Sequence, residues 1–173
     1  PTHIITARGN PMEAFRDMHR KIIYDVLTKV EREEMSYNMA NQTRYSPRQH
    51  QVLIEQYLTN NLYIPCADPE TIKQYRRGKM SSQEKKAAAF EKCVKKTIDT
   101  YAMYYGKPFM RNRHISIGFS DDSKKNVDAV TQQIIERLAE KHPNILFYLY
   151  NTQEPMFIRK ETIQKRPNSR PLF

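Results

Sequence analysis

Residues Arg111 to Tyr150 read RNRHISIGFSDDSKKNVDAVTQQIIERLAEKHPNILFYLY, and this stretch decides the fold class. In its first part Ile115, Ile117 and Phe119 alternate with His114, Ser116 and Gly118, the period of two that marks a half-buried strand. Ser120-Asp121-Asp122 then offers capping oxygens and negative charge to the start of a helix. Val127, Val130, Ile134 and Leu138 follow at spacings of three and four and give that helix an apolar face, and Pro143 stops it. In the closing ILFYLY, residues Ile145, Phe147 and Leu149 take one face of a second strand, and Leu146, Tyr148 and Tyr150 take the other. A helix that joins two short strands packs back across them, so a sheet with helices against it is expected.

The rest of the chain is read outward from this block. Downstream, Met156 to Lys160 is expected to add a strand, and QKRPNSRPLF at the end is basic, proline-containing and extended. Upstream, Thr2 to Ala7 is a short β-branched strand. Asn10-Pro11-Met12-Glu13 opens a helix, with Phe15, Met18, Ile22, Val26 and Val30 as its inward stripe to near Met35. Residues 36–46 are polar and aperiodic and read as a loop. Ser46-Pro47-Arg48-Gln49 starts a helix to Asn60, with Leu53, Ile54, Tyr57 and Leu58 apolar, and Asp68-Pro69-Glu70 starts a brief one ending at Gly78. Ser81 and Glu84 cap a longer helix to Tyr105, with Phe90, Val94, Ile98, Tyr101 and Tyr105 inward. The expectation is a single α+β domain over residues 1–160: a small sheet of about three to four strands packed by four to five amphipathic helices. Residues 161–173 form a basic extended tail.

Composition removes several classes of function. With 39% hydrophobic residues, eleven Tyr and seven Phe, the chain is not a disordered polyelectrolyte. It has no run of about eighteen apolar residues, so no membrane span is expected. The opening residues lack a basic-then-apolar leader pattern, and Cys66 and Cys93 form no CxxC element, so a reducing cytoplasm is the expected compartment. Only four glycines occur, with no GxGxxG or GxxxxGK[ST] pattern, and HExxH is absent too. Neither cofactor nor metal is expected.

The charge points to a partner. Net charge is +10, with twelve basic against five acidic side chains in residues 68–113 and five against two in residues 151–173. That concentration fits a polyanion, either nucleic acid or an acidic protein surface. The candidate contact residues are Arg76, Arg77 and Lys79 at a helix end, then Lys85, Lys86, Lys92, Lys95 and Lys96 on the exposed surface of the next helix. Arg111 and Arg113 lead into the central strand, and Arg159, Lys160, Lys165, Arg166 and Arg170 lie in the final segment. Tyr148 and Tyr150 add aromatic faces on which bases can stack. Short length, no Trp and a Lys-, Asn-, Gln- and Tyr-rich composition suit a non-enzymatic viral or phage component, in a virion or nucleoprotein, working within a larger assembly.

An enzymatic alternative rests on His114-Ile115-Ser116, whose His and Ser share one strand face. This pair resembles the H-x-[S/T] half-site of the 2H phosphoesterases, in which two such pairs bring two imidazoles to a phosphodiester as general base and general acid. The resemblance implies a metal-independent phosphodiesterase or nuclease with His114 and Ser116 as catalytic residues. The second pair would be His3 with Thr6, but that spacing of three sets the hydroxyl on the opposite face. Arg44 and His50 resemble the R-x(4–6)-H pair of HEPN ribonucleases, with Pro47 between them.

Overall fold

A computed structural model describes residues 2–6, 8–41, 46–74, 80–106, 115–153 and 159–163, with backbone alone at 70, 72, 74 and 159–163. The chain is α+β, and its contacts gather into two compact units, residues 1–76 and 77–173. No described helix is long and apolar enough to cross a membrane.

The first unit holds strand β1 (Ile4–Thr6), helices α1 (Met12–Lys21), α2 (Lys29–Ala40) and α3 (His50–Asn60), strand β2 (Tyr63–Pro65) and helix α4 (Pro69–Gln74). β1 and β2 pair in parallel, with Ile4 opposite Tyr63. Helix α1 runs on into one wide π turn, Ile22–Val26. That turn changes which residues are buried. A wider winding carries a four-residue spacing along one line, so Phe15, His19, Ile23 and Leu27 face inward. Ile23 packs with Ile54 and Leu58 of α3, joined by Leu27, Met35, Met39 and Tyr57. Four residues of the expected stripe are therefore outside: Met18 and Ile22 are a little over 40% exposed and Val26 and Val30 are 71% exposed.

The helix expected to continue to Met35 breaks at Leu27, whose extended backbone leads to Thr28. Thr28 caps α2 in a reciprocal box: its hydroxyl accepts from the Glu31 amide, and the Glu31 carboxylate accepts from the Thr28 amide. Helix α2 then runs to Ala40 with Ser36 buried, so residues 36–40 are helical where a loop was expected. Packing outweighed a polar composition there. Leu53, Ile54 and Leu58 of α3 are buried as expected.

The second unit holds helix α5 (Ser82–Tyr105), strand β3 (Ile115–Asp121), helix α6 (Lys124–Val130), a π turn (Thr131–Ile135), helix α7 (Glu136–Lys141), and strands β4 (Ile145–Asn151) and β5 (Arg159–Ile163). Ser81 and Glu84 form the expected capping box, and α5 ends at Gly106, whose φ of 80° is open to glycine. The sheet order is β3-β4-β5. β3 and β4 are parallel, with Ile115 opposite Ile145 and Phe119 opposite Leu149, joined by the α6–α7 crossover. β5 runs antiparallel to β4 and shares Arg159 and Lys160 with the strand expected from Met156 to Lys160, whose first three residues lie outside the described ones. One side of the sheet, with Ile115, Phe119, Ile145, Phe147 and Leu149, is buried. Phe119 meets Phe90 of α5 edge to face, ring centroids 5.1 Å apart.

Candidate nucleic-acid interface

The period of two that buries Phe119 and Phe147 turns their neighbours the other way. Ser116, Gly118 and Ser120 of β3 are exposed, and Tyr148 and Tyr150 of β4 are half-buried on that same side. The register sets Gly118 opposite Tyr148 and Ser120 opposite Tyr150. The two tyrosine rings are tilted neighbours, with centroids 6.5 Å apart. Gly118 lies beneath them: a Cβ there would stand 3.6 Å from Cε2 of Tyr150, in ordinary contact. In β5 the register sets Lys160 opposite Tyr150, whereas Arg159 stands opposite Asn151, a position of the other face. Two aromatic rings beside small residues, with Lys160 opposite one of them in the register, can stack bases.

The lysines of α5 do not join this face. Helix α5 packs through Phe90 against the Phe119 side of the sheet, so its solvent surface lies on the side away from Tyr148 and Tyr150. Lys92 and Lys95 are exposed, and Lys85 and Lys96 are half-buried. Lys86 is not a surface residue. Its side chain is 10% exposed, and its Nζ donates to Asp121 Oδ2 at 2.7 Å. Asp121 Oδ1 accepts from Asn126 Nδ2 at 2.8 Å and from the Ser123 amide at 2.9 Å. Burial alone would raise the Asp121 carboxyl, but these three donors and the Lys86 charge outweigh it and hold it below the usual carboxylate range. Asp121 thus ties β3 to α5 and to the start of α6, in place of a simple helix cap.

Arg76, Arg77, Lys79, Arg111, Arg113, His114, Lys165, Arg166, Arg170 and Arg44 lie outside the described residues. Of the phosphoesterase-like pair, Ser116 is described and projects from the open face. The matching residues near the N-terminus have local duties. His3 Nδ1 accepts from the Leu62 amide at 2.9 Å, and the Thr6 hydroxyl accepts from the Arg8 amide at 3.2 Å. Among the described residues no cluster of His, Cys, Asp or Glu could hold a metal ion.

The first unit contains a polar group that the sequence did not single out. His19 lies edge-on to Tyr57 and Tyr63, with Nδ1 3.0 Å from the Tyr63 hydroxyl. Burial lowers its pKa. Beside it Arg20 forks onto Glu55 through two hydrogen bonds of 2.9 Å and also pairs with Asp17. The signal was present in the four-residue spacing from Phe15 to His19 to Ile23, which only the π turn makes a single line. Compared with known proteins, the chain matches no family model, no curated protein and no solved structure.

Proposed function

We propose that this chain is a non-enzymatic binding protein for single-stranded nucleic acid, and that the open face of the β3-β4-β5 sheet is the platform. The observation that carries the reading is the Tyr148–Tyr150 pair, side by side over Gly118 on the sheet side away from α5. Each ring offers a π face to one base, which is sequence-tolerant because every base has one. The net charge of +10 supplies the long-range attraction, and phosphate contacts come from Lys160 and from the basic residues of the final segment. Duplex DNA keeps its bases stacked on each other and should bind more weakly.

The test is a titration against labelled single-stranded RNA, single-stranded DNA and duplex DNA at low and moderate salt, with cleavage read in the same samples. Single strands should bind in a salt-dependent way and remain intact. Tyr148→Ala and Tyr150→Ala should each weaken binding by about 1–3 kcal/mol, or roughly 5- to 150-fold. Equal affinity of both variants and the parent protein would refute the platform. Cleavage abolished by His114→Ala would replace the binding reading with the phosphodiesterase one.

A further inference from the structure

The first unit leaves an apolar ridge of α1 and its π turn uncovered. Ala14, Met18, Ile22 and Val26 repeat every four residues along one line and, with Asp17, Lys21 and Asp25, border a shallow groove of about 420 Å³. Val26 is 71% exposed and Ile22 43%. Burying such a ridge against another apolar surface is favourable by about 25 cal/mol per Å² removed from water. Beside it, Asp17, Lys21 and Asp25 form a second ridge of alternating sign, also every four residues.

This alternation selects the occupant. When two copies of one helix pair antiparallel about a two-fold axis, each flanking ridge meets its own counterpart. An axis passing near residue 23 sets Lys21 against Asp25 of the second copy, and Asp25 against its Lys21. The apolar positions interleave at that same setting, with Ile22 between Ile22 and Val26 of the other copy. Charge and packing thus agree on a single register. We infer that a second copy of this chain docks here, forming a two-fold antiparallel helix pair through Met18, Ile22 and Val26, locked by reciprocal Lys21–Asp25 ion pairs. The contact is short. Specific interfaces bury about 1,200–2,000 Å², and one helical ridge falls below that, so the dimer is weak and concentration-dependent.

Sedimentation velocity of the full chain across a concentration series tests this at low salt. The parent protein should pass from monomer to dimer as concentration rises. Lys21→Asp or Asp25→Lys alone opposes like charges across the axis and should weaken the dimer at least tenfold. The combined Lys21→Asp/Asp25→Lys variant restores opposite charges and should recover most of that loss. Because the two residues are also four apart on one helix, urea unfolding of each variant, with a midpoint expected close to the parent's, separates the interface effect from a helix effect. Ile22→Glu should abolish the dimer while its circular dichroism stays that of the parent. A parent protein that stays monomeric throughout the series overturns the inference. So does a dimer that Ile22→Glu leaves intact, or a combined variant as weak as either single one. None of these readings depends on nucleic-acid binding, so the two proposals fail separately.

Discussion

Removing the Lys86 ammonium should be among the most damaging surface-to-core errors this chain can suffer, and the structure fixes the size of the effect. Side-chain exposures of 10% and 7% put both Lys86 and Asp121 out of reach of bulk water. In Lys86→Ala the Asp121 Oδ2 loses its 2.7 Å donor, while Oδ1 keeps Asn126 and the Ser123 amide. Breaking one side of a buried pair costs about 3–5 kcal/mol, and the two surviving donors set the expectation at about 3 kcal/mol. Asp121→Asn should cost a similar amount, because it leaves the ammonium buried without its counter-charge. Combining Lys86→Ala with Asp121→Asn should cost less than the sum of the single changes, since neither charge then needs a partner. Urea unfolding followed by circular dichroism gives all the corners of this cycle.

The acid dependence has a definite sign. The folded carboxyl of Asp121 titrates below its unfolded value of about 3.9, so the pair's contribution is fully present above that pH. It is lost as pH falls through the folded pKa. The gap between the parent protein and Lys86→Ala should therefore close in acid. Single variants within about 0.5 kcal/mol of the parent, or strictly additive ones, would refute the reasoning.

Three further outcomes are expected. Ile23→Ala should cost about 2–4 kcal/mol in urea unfolding while Ile22→Ala, one residue away, should cost about 1 kcal/mol at most; equal losses would return the buried stripe to Met18, Ile22 and Val26. Ser36→Ala should stabilise the protein by about 1 kcal/mol, because the buried Ser36 hydroxyl of α2 has no hydrogen-bond partner among the described residues; a lower urea midpoint would show that the hydroxyl is satisfied. The His19 ring should titrate below about 6.5 by NMR, since burial disfavours its cation. Unfolding frees that ring to bind a proton sooner, so stability rises with pH across the window beneath 6.5 and is lost as pH falls through it. A His19 value at or above 6.5 would contradict that placement.

What local order could decide was legible in the residues themselves. The alternation of Ile115, Ile117 and Phe119 with Ser116 and Gly118 made β3 and its two faces readable. The Ser81–Glu84 pair announced the start of α5, and the turn at Gly106 its end, because caps and periodicities depend on residues only a few positions apart. The outward projection of Ser116 followed from the same period, as did the placing of Tyr148 and Tyr150 together on one face of β4, although which face the helices cover did not. Other features needed contacts between distant parts of the chain. Phe15, His19, Ile23 and Leu27 compete with Met18, Ile22 and Val26 as the inner line of α1, and the second set is the more apolar. Only packing of Ile23 against Ile54 and Leu58, with the π turn that permits it, chose the first. Lys86 read as one lysine among several on a basic helix, until Asp121, thirty-five residues on, drew it into the interior. Periodicity states that a face is apolar or charged, whereas burial is settled by what the tertiary structure brings against it, since desolvation and its compensation are properties of the assembled neighbourhood.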